Sequence, residues 1–279
     1  EGQRRFIHDP GSFGRLMEAC AKTVSGLPGG VLGVAPHSLR AVTAEELEAV
    51  LPMAGEGPVH IHIAEQTKEV EDCIAATGQR PVEWLLDHMP VNERWCLIHA
   101  THMTADESSR MASSGAVAGL CPITEANLGD GVFDAPRFLE KGGLFGIGSD
   151  SNISISVAEE LRLLEYSQRL MRRERNVLAD SGGSTGRRLF DQAILGGNRA
   201  LQARSGLSVG NEADMVSLKV EAVDYLKEDA LLDHWIFAGR VPVDAVWVRG
   251  EKRVENGRHI HRQRIGQRFR SVMERLLRD

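Results

Sequence analysis

Two histidines one residue apart, His60 and His62, followed by an acid at Glu65, form the stretch of this chain best equipped for chemistry. Polar and apolar residues alternate in Val59-His60-Ile61-His62-Ile63. On a strand, successive side chains point to opposite faces, so the two imidazoles share one face and the three aliphatic side chains take the other. Glu65 falls where such a strand should end. An imidazole that holds a divalent cation, with a carboxylate a few residues further on, can make a nucleophile out of water. The stretch alone reads equally well as a buried strand whose histidines are hydrogen-bonded. Comparable groups recur at or just after other apolar runs: His37 and Arg40 after residues 31–35, His99 and His102 after 95–98, and Asp150 after 144–147. Such a set suits hydrolysis. A divalent ion lowers the pKa of a bound water toward roughly 7, one carboxylate takes its proton, and another passes a proton to a leaving nitrogen.

The elements that must position these groups follow a regular rhythm. Apolar spacing predicts a helix over residues 10–23, then a short strand over 31–35. Thr43 as N-cap with Glu46 three residues on forms a capping box that opens a helix running to about Leu51. The strand carrying His60 and His62 comes next, then helices over 69–76 and 81–88, a strand over 95–98 and a helix over 105–113. A strand over 116–121 leads into a loop over 122–131 rich in Asn, Asp and Gly. A strand over 144–147 and helices over 157–170 and 189–203 follow. Strands alternating with helices imply parallel strands with crossover connections, hence an α/β architecture. In a barrel of eight such units the active site is built from the C-terminal ends of the strands. About five units are present against the eight that closure requires, so the expectation is a partial (β/α)8 barrel, about strands 4 to 8. After Ser205 the texture changes to short valine-rich runs with an Asn256-Gly257 turn signal. The predicted division is a hydrolase domain over 1–205 and, over 206–279, a small β appendage closed by a C-terminal helix.

Composition narrows the class. With 279 residues, 42% hydrophobic and 26% charged, the chain is an ordinary globular sequence. A net charge of −6 with no long run of one sign gives no electrostatic case for nucleic acid or an anionic membrane. The basic cluster from Arg262 to Arg275 alternates with Ile265, Phe269, Val272 and Leu276, as in an amphipathic helix packing on its own protein. Four cysteines without paired spacing read as reduced thiols of a cytoplasmic protein rather than as a zinc site. No apolar run approaches the roughly 20 residues that span a bilayer.

Five stretches together resemble the amidohydrolase superfamily and, within it, the deiminases of N-formimino-L-glutamate. They are Ala35-Pro36-His37-Ser38-Leu39-Arg40, His60 to Gln66, Leu97-Ile98-His99-Ala100-Thr101-His102-Met103, Cys121 to Gly131, and Gly146-Ile147-Gly148-Ser149-Asp150-Ser151-Asn152. The histidine, glutamate, histidine and aspartate positions match the superfamily's deaminases. The Pro-His-Ser-Leu-Arg and Thr-Glu-Ala-Asn-Leu-Gly-Asp-Gly segments point to this member. The resemblance implies hydrolysis of the formimino group, releasing ammonia and N-formyl-L-glutamate in histidine breakdown, with one zinc ion as cofactor and a small molecule as the partner. By it, His62 is a metal ligand, and Asp150 is a second ligand that also serves as the base. Glu65 bonds the imino nitrogen and relays the proton to ammonia, and His99 polarises or orients the reacting group. His37 and Arg40 hold a substrate carboxylate, for which a planar guanidinium is well shaped. The family often forms dimers, so a homodimer is expected.

The family's first barrel strand carries a His-x-His pair that completes the metal site, and no such strand precedes Pro36 here. The expectation is therefore a fragment that supplies about half of the metal's protein ligands. His60 reads as structural, His102 as a loop or helix-start residue, and Glu125 and Asn127 as loop residues within reach of substrate. Two other readings stay open: a deaminase of an aminated purine or pyrimidine, for which Arg40 is superfluous, and a non-catalytic barrel remnant with open sheet edges.

Overall fold

In the computed structural model, which describes residues 6–239 and 241–278, the chain divides into two units, the first ending at Ala203 and the second beginning at Arg204. The first unit runs α1 (Pro10–Val24), α2 (Ala44–Val50), β1 (Val59–Ile63), α3 (Thr67–Thr77), α4 (Pro81–His88), β2 (Trp95–His99), α5 (Ala105–Ser114), β3 (Val117–Leu120), α6 (Pro122–Leu128), α7 (Ala135–Glu140), β4 (Leu144–Ile147), α8 (Val157–Arg172) and α9 (Thr185–Leu201). Its four strands form one parallel sheet in chain order. Val59 lies opposite Trp95 and Ile63 opposite His99, and Leu120 lies opposite Ile147. Crossover helices between parallel neighbours leave all the strand C-termini at one edge.

The pattern of β1 decides its orientation. Val59, Ile61 and Ile63 are buried while His60 and His62 are half-buried. Burying one such aliphatic side chain contributes about 1.5–3 kcal/mol, and a one-residue slip would turn all three outward. Helix starts follow their local signals: Thr43 accepts from the Glu46 amide and Glu46 from the Thr43 amide, and Thr104 and Glu107 repeat the arrangement before α5. Helix α9 lies directly on β4, because an added Cβ at Gly196 would stand 2.0 Å from the Phe145 carbonyl oxygen. Only a glycine allows the two backbones to approach so closely.

Two segments differ from the sequence-based expectation. Residues 31–35 form no strand; Val34, and beyond them Ser38, meet β1 through single parallel bridges to Val59 and His62. The His60 amide donates to the Val34 carbonyl. The ladder then needs a donor at Pro36, which has no N–H, and the next bond slips by one residue, the His62 amide donating to His37. Residues 122–131, read as a loop, begin with helix α6. Its signals are local: Pro122 at the first position, where its missing N–H costs nothing, and Gly129 at φ +74° just past the end.

The second unit holds β5 (Met215–Leu218), α10 (Asp229–Ala238), β6 (Val243–Val248), β7 (Glu251–Glu255), β8 (Arg258–His259) and α11 (Arg262–Leu276). The four strands form an antiparallel sheet. The β7–β8 hairpin turns at Asn256 and Gly257, both at positive φ, as a two-residue turn of this hand requires. Helix α11 forms where its apolar spacing predicts, but none of its residues is buried, and Ile265, Phe269, Val272 and Leu276 are exposed. Spacing alone specifies an apolar stripe and not what covers it. Among the described residues no helix is long and apolar enough to cross a membrane.

Candidate active site

Three imidazoles gather at the C-terminal edge of the parallel sheet. The His62 ring centroid lies 4.9 Å from that of His37 and 5.6 Å from that of His99. His62 lies near the C-terminal end of β1 on its half-buried face, His99 ends β2, and His37 comes from the bridged segment beside β1. The His37 carbonyl accepts twice from His62, from the backbone amide at 3.0 Å and from ring Nδ1 at 2.8 Å. A carbonyl only accepts, so Nδ1 carries a proton, and in the neutral ring Nε2 of His62 is left with its lone pair.

Glu65 joins this group through both oxygens. Its Oε2 lies 3.3 Å from the Arg40 guanidinium, and its Oε1 lies 3.6 Å from His99 Nε2, an ion-pair distance too long for a hydrogen bond. Glu69 stands behind it. This buried carboxylate accepts from the Glu65 amide at 2.9 Å and lies 3.9 Å from Arg40. The Arg40 side chain keeps 37% of its exposure, so its head reaches solvent as well as two acids.

Backbone strain collects in the same place. Ala64, His99, Ala100 and Asp150, all at or just beyond strand ends, have φ between +48° and +68°. Such conformations cost of order 1–3 kcal/mol each for residues other than glycine and persist only where the surroundings hold them. Beyond β1 and β2 the chain is held by the Ala100 amide on the Ile63 carbonyl and the His102 amide on the Ala64 carbonyl.

Asp150 is exposed, with Oδ1 accepting from the Ser151 amide at 2.7 Å. It does not cap a helix, since α8 starts at Val157 with Ser156 as its N-cap. Its charge acts on His99, where burial works against the imidazolium but the hydrogen bond to Glu125 and the charges of Glu65, Glu125 and Asp150 outweigh it. The His99 pKa is thus held above the ordinary imidazole value. His37 moves the other way, lowered first by burial and then by the charges of His62 and Arg40. The two imidazoles that flank His62 are therefore biased toward opposite protonation states.

Other sequence candidates take quieter places. His60 donates from Nε2 to the Ala200 carbonyl at 2.8 Å, tying β1 to α9. His102 donates from Nε2 to the Asp130 carbonyl at 2.7 Å. Asn127 is exposed on α6, whereas Glu125 of the same helix is buried and reaches His99. Glu125 was expected only as a loop residue within reach of substrate, and Glu69 was not singled out. Each does sit a few residues beyond a strand end, which is the one signal that could have marked it.

A tethered imidazole with a free Nε2 and an exposed carboxylate are suitable metal donors, and His62 and Asp150 provide one of each. Among the described residues no group of three or more His, Cys, Asp or Glu is arranged to hold an ion. The donor set present thus fits part of a coordination shell.

Comparison with known proteins supplies the context. The amidohydrolase family profile matches residues 13–253. A curated formimidoylglutamate deiminase of Pseudomonas aeruginosa is 48% identical over 99% of this chain, and the chain spans 62% of that relative's length. A crystal structure of an amidohydrolase from Brucella melitensis superposes with a TM-score of 0.96 at 60% identity, covering 99% of this chain and 62% of that one. An adenosine deaminase from Xanthomonas campestris with bound zinc shares the fold, with a TM-score of 0.83 at 24% identity over 96% of this chain and 62% of its own.

Proposed function

The chain belongs to the amidohydrolase family, and from that premise we propose that it carries out, or forms the larger part of the enzyme that carries out, hydrolytic deimination of N-formimino-L-glutamate. Water adds to the formimino carbon, the C–N bond to the terminal nitrogen breaks, and the products are N-formyl-L-glutamate and ammonia. The observation that carries the reading is the Arg40 guanidinium 3.3 Å from Glu65, beside the cluster of imidazoles. A substrate with two carboxylates and a protonatable amidine needs a cation and an acid side by side, and a neutral heterocycle does not. The 48% identity to a formimidoylglutamate deiminase supports the same substrate.

Each residue then has a task. Arg40 and His37 bind a substrate carboxylate, Arg40 through its planar donor fork. Glu65 orients the imino nitrogen and delivers the proton to departing ammonia, Asp150 takes the proton from the attacking water, and His99 orients the reacting group. His62 Nε2 and the Asp150 carboxylate would hold a zinc ion, which would supply the Lewis acidity that makes water a nucleophile near neutral pH. The parallel sheet with its bridged neighbour at residues 34–38 supports the reading of residues 1–205 as strands 4 to 8 of a (β/α)8 barrel, with 206–279 as an appendage. The four free cysteines favour a cytoplasmic setting.

The test is Arg40→Met in an ammonia-release assay. Loss of a charge-assisted carboxylate contact worth about 1.5–3 kcal/mol raises KM for N-formimino-L-glutamate roughly 10- to 150-fold. An unchanged KM, or equal turnover of adenosine, refutes the assignment.

A further inference from the structure

We infer that Glu125 is a positioning residue for His99: its carboxylate accepts the Nδ1 proton and so fixes the imidazole in the tautomer whose Nε2 lone pair faces Glu65. Glu125 lies on the first turns of α6 and is 4% exposed, and His99 is 1% exposed. Glu125 Oε1 accepts from the Cys121 amide at 2.8 Å and stands 3.1 Å from His99 Nδ1. The Cys121 amide precedes α6 and anchors the carboxylate, which cannot swing away without stranding a buried donor.

An ionised carboxylate only accepts, and a neutral imidazole has one N–H. In the neutral ring that proton is committed to Glu125, so Nε2 carries the lone pair, 3.6 Å from Glu65 Oε1. The opposite tautomer would set an Nδ1 lone pair against the Glu125 oxygen inside a buried pocket, where such a repulsion is poorly screened. A second buried carboxylate at the same turn, Glu160, accepts from the Ile123 amide at 2.9 Å, and its other oxygen has no hydrogen-bond partner. That environment favours the neutral acid at Glu160.

The catalytic meaning of this contact rests on the function proposed above, while the tautomer itself does not. The test therefore reads the tautomer first, by two-bond ¹H–¹⁵N correlation spectra of the full chain labelled at histidine nitrogens. The His99 signals are assigned by their loss in His99→Gln. At a pH high enough for His99 to be neutral, the wild type is expected to show the Nδ1–H form. Glu125→Gln keeps an oxygen acceptor and retains it. Glu125→Ala removes the acceptor, and the spectrum moves to the Nε2–H form that histidine prefers in water. A wild-type Nε2–H signal overturns the inference without any variant needing to fold, and so does an Nδ1–H signal that persists in a folded Glu125→Ala protein. In the zinc-loaded enzyme, Glu125→Ala lowers kcat roughly 10- to 100-fold, the usual effect of losing a partner behind a working group, with KM unchanged and activity restored in Glu125→Gln. If the tautomer behaves as described and no ammonia is released, the proposed reaction fails and the positioning role stands. If ammonia is released and the tautomer is indifferent to residue 125, the reverse holds.

Discussion

Replacing Glu160 with Gln should make the protein more stable at pH 8 and leave it nearly unchanged at pH 4. Glu160 is 1% exposed, one of its oxygens accepts from the Ile123 amide, and the other has no hydrogen-bond partner. Burial pushes its pKa from 4.5 up to about 7. The folded state therefore holds a proton that the unfolded state has released across a window of roughly 2.5 pH units, and each unit is worth about 1.4 kcal/mol. Below pH 4.5 both states are protonated and this group imposes no penalty. As pH rises toward 7 the folded state loses stability relative to the unfolded one, by about 3 kcal/mol in total, and above that both states are ionised and the slope vanishes. Glutamine cannot ionise and keeps an oxygen for the Ile123 amide, so the variant escapes the loss. Urea denaturation of both proteins at pH 4, 5, 6, 7 and 8, followed by near-UV circular dichroism, isolates this group because all other titrations cancel in the difference. The gap should open between pH 5 and 7 to about 3 kcal/mol, or roughly 6–12 °C in Tm for a chain of this length. A difference that stays flat across the range would show that Glu160 titrates as an ordinary acid and refute the account of its burial.

Two further outcomes follow from packing and hydrogen bonding. Gly196→Ala gains about 1 kcal/mol of helix propensity in a solvated helix. Here its Cβ meets the Phe145 carbonyl at 2.0 Å, so the sign reverses, and thermal unfolding should show a loss of about 1–3 kcal/mol as α9 is forced off β4; a higher Tm would mean that the two backbones are not in contact. His60→Leu strips the Ala200 carbonyl of its imidazole donor and should cost about 1–3 kcal/mol in urea denaturation, with no loss of zinc uptake; reduced uptake would make His60 a ligand instead.

Local patterns in the chain were enough for most of the elements. The alternation in residues 59–63 specifies β1 and its buried face because side-chain direction on a strand depends only on position along it. The Thr43–Glu46 box specifies the start of α2 because both partners lie within one turn. The Pro122 and Gly129 signals bounding α6 were local too, but the Asn, Asp and Gly residues between and after them favour turns as strongly. Beyond that range the sequence is silent about pairing. Which acid the Arg40 guanidinium meets, 25 residues away, and whether Glu125 or Asn127 turns inward to His99 are settled only when β1, β2 and α6 are brought together. The same holds for the pKa of Glu160. Its elevation comes from the water excluded by the folded unit around it, a property of the whole packing that no stretch of neighbouring residues contains.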